Sequence, residues 1–175
     1  LEILWNHRWE YDKGPTLLLE FVRLLCASNL NCAVHIVGQQ FKQRPAEFEQ
    51  IQKLLSAQAM RFNREPAHWG FIAQRKDYES LLSRCDVVLS TALHDFQGLS
   101  IQEATLAGCA PLAPADLVYP EYLPTENLYA REATEQQSAA HILAKLEKWQ
   151  ERKAKGEALP TVNLEDFKSA ALAPS

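Results

Sequence analysis

DVVLSTALHDFQGLSIQEATLAGCAPLA, residues 86–113, holds the pattern from which the fold follows. Asp86 to Ser90 is a near-continuous β-branched and apolar run, as expected of a parallel strand covered on both faces. Leu99 to Ala107 then reads as a helix, Gly108 ends it, and Cys109 to Ala113 is a second apolar strand. Strand, helix and strand with short connections imply a right-handed crossover in an α/β fold. At the handover from strand to helix, HDFQGLSIQEA sets Asp95 and Glu103 eight positions apart, on either side of Gly98.

The alternation continues outward in both directions. Glu2 to Trp5 reads as a short buried strand, and Gly14-Pro15-Thr16 opens an amphipathic helix from Leu17 to about Ser28, with proline at a favoured first-turn position. Asn31 to Val37 is β-branched and stops at Gly38, so it is a strand. Pro45 to Met60 places Phe48, Ile51, Leu54 and Leu55 at helical spacing. His68 to Ile72, Lys76 to Ser83 and Asn127 to Ala130 add a strand, a helix and a last short strand. From Glu132 to Lys155 the chain is helical, with Ile142, Leu143, Leu146 and Trp149 on one face. The spacing predicts a Rossmann-like, doubly wound parallel sheet over residues 1–155, and a tail over 156–175 that packs on something outside this chain. Ligands of such sheets sit at the carboxyl ends of the strands, which singles out the loops after Trp5, Val37, Ile72 and Ser90.

Composition narrows the function classes. The 175 residues are 47% hydrophobic, enough for a buried core, and the net charge of −4 comes from interspersed acids and bases. No run of lysines or arginines is present to neutralise a row of phosphates, which argues against tight nucleic-acid binding by this chain alone. No apolar stretch approaches the roughly 20 residues that span a bilayer, so no membrane insertion is expected. Cys26, Cys32, Cys85 and Cys109 are widely spaced among apolar residues, which suits buried free thiols and a reducing, cytoplasmic setting. The chain opens directly on a strand-like run without an initiator methionine, as an excised half of a longer protein would.

Two of the loops at the carboxyl ends carry charge. In NHRWEYDKGP, residues 6–15, Arg8 and Lys13 are five apart and can converge on one anion beside a helix N-terminus, where backbone N–H groups already favour negative charge. The same two cations can instead pair with Glu10 and Asp12 on the surface. In the second loop, the helix starts at Leu99 or Ser100, which leaves Asp95 on the loop and Glu103 at the end of the first turn. The amides of Gly98, Leu99 and Ser100 then face an anion lying between Arg8 and Lys13. A purely structural alternative is a capping box, Ser100-Ile-Gln-Glu103, with Asp95 as a solvated loop carboxylate. His7 and His94 flank the site as sugar contacts or as hydrogen-bonded structural residues, His35 reads as core, and neither His68 nor His141 has a metal-like partner at suitable spacing.

The two loops together resemble the C-terminal, donor-binding half of the retaining group 1 (family 4) GT-B glycosyltransferases. That family pairs a Gly-Arg…Lys-Gly loop with a segment of the form Glu-Gly-Phe-Gly-Leu-Pro-x-x-Glu-Ala. Arg8 and Lys13 fall on the two phosphate-binding cations, and Asp95, Gly98, Leu99, Ser100 and Glu103 on the second motif. Asp95 replaces the usual Glu and is one methylene shorter, Ser100 stands where proline is common, and Asn6-His7 replaces the glycine before the arginine. Within the superfamily, ILWNHRWEYDKGP and STALHDFQGLSIQEATLAGCAPLAPADLVYPEYLP are similar to the tRNA-queuosine α-mannosyltransferase family.

The resemblance implies GDP-mannose or another nucleotide sugar as donor and the queuosine of a tRNA as acceptor. An N-terminal acceptor half, missing from this chain, would carry most of the tRNA surface, and this fragment alone would be inactive. It gives Arg8, Lys13 and Asp95 the catalytic positions, the first two on the diphosphate and Asp95 on the sugar hydroxyls or the phosphate region. Gly98, Leu99, Ser100, Glu103 and His94 become donor-binding residues, with Glu103 on the ribose hydroxyls. No metal or other cofactor is implied, in agreement with the lack of a DxD motif, and the same-face, retaining mechanism needs no protein nucleophile. A donor domain acting on a glycan or lipid, and a non-catalytic nucleotide-sugar binding module, are the competing readings.

Overall fold

In the computed structural model, which describes residues 1–38, 45–94 and 98–164, the chain alternates strand and helix throughout. The elements run β1 (Glu2–Trp5), α1 (Pro15–Ala27), β2 (Ala33–Val37), α2 (Glu47–Arg61), β3 (Trp69–Gly70), α3 (Arg75–Arg84), β4 (Val87–Leu89), α4 (Leu99–Leu106), β5 (Ala110–Pro114), β6 (Leu128–Tyr129) and α5 (Glu135–Ala154). The six strands form one sheet in the order β3-β2-β1-β4-β5-β6, every pair parallel. The expected doubly wound α/β sheet is therefore present. Its two edge strands have only two residues each. Short edges limit pairing with other chains.

Strand pleating sorts the side chains into two cores. Ile3 and Trp5 of β1, with Val87 and Leu89 of β4, face the layer of α1, α2 and α5, whereas Leu4 and Val88 face α3 and α4. Helix α1 lies buried between α2 and α5 through Leu17, Leu18, Phe21 and Leu25. At one end of this core Trp9 stacks on Phe48 with ring centroids 4.5 Å apart, and Trp69 meets Trp9 edge-on at 4.9 Å. Trp9 belongs to the loop after β1, so the loop is anchored in the core from within. The chain after α5 packs back on the domain, with Leu159 against the first core, Leu164 buried in the second, and Pro160 accepting a hydrogen bond from Asn127.

The segment after α5, expected to pack on something outside this chain, packs on the domain itself from Leu159 to Leu164 because its apolar residues find both cores within reach; the other differences lie at element ends. Helix α1 begins at Pro15, two residues earlier than the periodicity suggests, because Gly14 sits in the left-handed region (φ 71°) and Pro15 takes the first helical position. The third strand shrinks from five expected residues to Trp69–Gly70, as His68 turns its ring Nε2 onto the Gly70 carbonyl, 2.9 Å away. No helix among the described residues is long and apolar enough to cross a membrane.

Strand order reverses between β1 and β4. The loops leaving those neighbouring strands head into helices on opposite faces of the sheet, the place where sheets of this topology form a ligand crevice. Arg8 and Lys13 lie on the first of these loops, His94 lies on the second, and Leu99 to Glu103 open the helix α4 that follows it.

Candidate functional site

The two charged loops are laced together by hydrogen bonds. The Asp12 carbonyl accepts from the amides of Leu93 (2.7 Å) and His94 (3.2 Å), and the Thr91 hydroxyl donates to the Lys13 carbonyl at 2.7 Å. Trp5 donates its indole N–H to the same Thr91 oxygen at 3.0 Å, tying the contact to the end of β1. The Lys13 ammonium donates to the His94 carbonyl at 3.1 Å, and its side chain is mostly buried. Gly14 makes this closeness possible, because a Cβ there would lie 1.8 Å from the Thr91 carbonyl oxygen. Residues 91–94 of the β4 loop are thus joined directly to residues 12–14 of the β1 loop.

Surface pairing of the cations with their neighbouring acids does not occur as a tight contact. Lys13 is 3.9 Å from Asp12, and Arg8 is exposed without an ion pair among the described residues. An exposed guanidinium and a well-held ammonium therefore stand on the same loop.

The capping box expected as the structural alternative does not form. Gly98 (φ 63°), and not Ser100, is the N-cap of α4. Ser100 is already inside the first turn, and its carbonyl accepts from Asn6 Nδ2 at 2.9 Å. Among the described residues a capping box forms at α5 instead, between Thr134 and Gln137. Both α1 and α4 consequently begin at a left-handed glycine beside adjacent central strands. Helix starts of this kind favour negative charge at their first-turn N–H groups. A Cβ on Gly98 would lie 2.3 Å from the Tyr122 hydroxyl, so glycine is required there for space as well as for conformation.

Glu103 is held from another direction. Arg75, the first residue of α3, places Nη1 2.7 Å from Glu103 Oε1 and also binds Glu79. The Arg75 guanidinium lies over the Tyr78 ring, and Tyr78 accepts the second N–H of Asn6 at 2.9 Å. Burial pushes the Tyr78 hydroxyl pKa above its ordinary value, opposed by the Asn6 hydrogen bond. Asn6, Tyr78, Arg75 and Glu103 thus link the end of β1 to the first turns of α3 and α4. Among the described residues no three His, Cys, Asp or Glu side chains gather as a metal site requires.

Of the residues singled out by sequence, Lys13, His94, Gly98, Leu99, Ser100 and Glu103 gather on the β1 and β4 loops and the start of α4, with Arg8 exposed on the same β1 loop. Asp95 lies outside the described residues. His7 is buried and packs edge-on against Trp5 at 5.1 Å, and His35 is buried in β2 with Nε2 2.6 Å from Glu2. Sequence reasoning missed Arg75, Tyr78 and Thr91. An arginine opening a helix is an ordinary surface residue by pattern, and only the fold brings α3 beside α4.

The profile of the glycosyl transferases group 1 family matches residues 2–160. The chain belongs to this family. A tRNA-queuosine alpha-mannosyltransferase of Drosophila melanogaster is 39% identical over 129 residues, 74% of this chain and 32% of that protein, so the chain spans about a third of the length of this relative. Among solved structures, the catalytic domain of the cholesterol-alpha-glucosyltransferase of Helicobacter pylori superposes with a TM-score of 0.66 at 15% identity, covering 98% of this chain and 97% of that one. The C-terminal domain of a group 1 glycosyl transferase from Francisella tularensis gives 0.64 at 19% identity over 83% of this chain and 75% of that one. At these identities the solved structures define the shared GT-B domain fold, and the group 1 family assignment comes from the sequence profile.

Proposed function

We propose that this group 1 glycosyl transferase domain binds the nucleotide-sugar donor of a retaining transferase that moves mannose from GDP-mannose to queuosine in tRNA. The observation that carries the reading is the fused pair of loops at the strand-order reversal. Lys13 bridges the two loops there, Arg8 is exposed on the first of them, and α1 and α4 each start at a left-handed glycine after these loops. The Drosophila relative supports the choice of acceptor and sugar, since its similarity runs over most of this chain.

In sugar transfer the bond to the anomeric carbon breaks as negative charge builds on the β-phosphate. Arg8 forks across two phosphate oxygens, while Lys13, fixed by the His94 carbonyl, supplies a point charge. The amides of Leu99 and Ser100 add oriented dipoles that need no reorganisation during the reaction. One such preorganised donor is worth about 3–4 kcal/mol in the transition state. Glu103 takes the ribose diol, Asp95 the sugar or phosphate region, and His94 the edge of the sugar. Binding of ribose then competes for the Glu103 oxygen that Arg75 holds. The leaving phosphate serves as the base toward the acceptor on the same face, so no metal and no protein nucleophile are required.

A second domain is part of the proposal. Tyr11, Phe71, Leu93, Leu99 and Leu117 are exposed, and all follow the carboxyl ends of strands, Leu99 as the first residue of α4. An apolar rim around a charged crevice suits a face that another domain closes over, and most of the tRNA contact belongs there.

Calorimetric titration of the chain with GDP, UDP and GDP-mannose tests donor binding, with Arg8→Ala expected to abolish it. Absence of binding by any nucleoside diphosphate would refute the donor site. Transfer assays with the chain joined to its acceptor-side domain, on queuosine-containing tRNA against glycan acceptors, test the acceptor. Labelling of a glycan in place of tRNA would overturn that part.

A further inference from the structure

We propose that Arg131, a residue outside both charged loops, is a positioning residue of the donor site and acts through Lys13; this rests on the donor-site reading above. Arg131 lies two residues beyond Tyr129, past the carboxyl end of β6. Tyr129 donates its buried hydroxyl to the Ser90 carbonyl at 2.7 Å, and Arg131 donates Nη2 to the Ala92 carbonyl at 2.6 Å. Two side chains two positions apart therefore grip two carbonyls two positions apart, across the intervening strand β5. Alternate residues of an extended segment point the same way, so the pair forms one clamp on the chain leaving β4.

The guanidinium is itself held. Arg131 Nη1 is 3.3 Å from Asp116 Oδ2 in the loop after β5, and its side chain is largely buried. Leu117, next to Asp116, has φ 58°, a left-handed conformation uncommon outside glycine. Such strain persists only where surrounding contacts over-determine the backbone. Ser90 completes the fixation, because its hydroxyl accepts from the Ala92 amide at 3.2 Å and pairs with the Tyr119 hydroxyl at 2.8 Å.

The segment clamped in this way runs directly into the loop contact. Leu93 and His94 donate to the Asp12 carbonyl, and the His94 carbonyl receives the Lys13 ammonium. Ala92 and His94 are two residues apart, about 7 Å in extended chain. Arg131 has Asp116 beside it, so it does not act as a third phosphate cation. Its effect is mechanical, and it keeps Lys13 at the position where the diphosphate charge develops.

The test is a double-mutant cycle on nucleoside diphosphate affinity, measured by calorimetry on the chain with GDP or UDP. Arg131→Met is expected to weaken binding about tenfold, and Arg131→Lys, which keeps one donor for the Ala92 carbonyl, to recover most of that. In a Lys13→Ala background, Arg131→Met should weaken binding by no more than about twofold, since the group it positions is gone. Should Arg131→Met not fold, Asp116→Asn probes the same link through the freed guanidinium, with the same dependence on Lys13. Multiplicative effects of Arg131 and Lys13 would overturn the inference, as would unchanged affinity in folded Arg131→Met. Lack of nucleotide binding by the unmutated chain would instead overturn the donor-site reading together with it, so the two failures are distinguishable.

Discussion

Gly14→Ala and Gly156→Ala form a matched pair that measures how much the contact between the two loops matters. Both glycines are left-handed, with φ of 71° and 75°. Alanine in that region costs about 1–2 kcal/mol. A Cβ on Gly156 meets nothing within 4 Å, whereas a Cβ on Gly14 meets the Thr91 carbonyl oxygen at 1.8 Å. For ordinary contact at 3.4 Å the β4 loop has to retreat by about 1.6 Å. That displacement breaks the 2.7 Å bond from Thr91 to the Lys13 carbonyl and strains the equally short one from Leu93 to the Asp12 carbonyl. Two such bonds add about 2 kcal/mol to the backbone cost. At about 2–4 °C per kcal/mol for a chain of this size, Gly156→Ala should lower Tm by about 2–8 °C, and Gly14→Ala by about 4–8 °C more. Calorimetric unfolding supplies the comparison, and titration with GDP or UDP should show weaker binding for Gly14→Ala alone. Equal Tm losses, or undiminished nucleotide affinity in Gly14→Ala, would refute the reasoning that the loops work as one unit.

Asn6→Ala removes the two hydrogen bonds that join β1 to Ser100 and Tyr78; urea unfolding should show a loss of about 1–3 kcal/mol, together with reduced nucleotide affinity. His35 is held below its ordinary pKa chiefly by burial, against the raising effect of Glu2, and its Nδ1 accepts from the His68 amide, a bond that protonation breaks. The unfolded chain therefore takes up the proton first, and stability should fall as pH drops below about 6.5, the ordinary value; His35→Gln should flatten urea midpoints between pH 7.5 and 5.5. Burial pushes the Cys85 and Cys109 thiols up to about 12 and about 11, so a thiol-specific reagent at pH 8 should leave both unmodified in the folded protein and label all four cysteines once urea unfolds it.

Sequence by itself determined the layered α/β architecture, because buried parallel strands require continuous apolar runs and their crossover helices require a 3.6-residue period. Both signals are local and strong in DVVLS, NCAVHIV and the helix from Leu17. The charged first loop and the glycine-led helix start were legible for the same reason, since loop composition and helix starts are written in consecutive residues. The partner of each polar group was not legible. Ser100 and Glu103 match a capping box in spacing, yet Gly98 with Tyr122 packed against it starts the helix two residues before Ser100. Asn6 then reaches the Ser100 carbonyl across 94 positions, and Arg75 takes Glu103. Arg131 meets Ala92 only because the strand order brings β6 and β4 to either side of β5. Long-range contacts of this kind have no sequence period, and only the tertiary structure decides them.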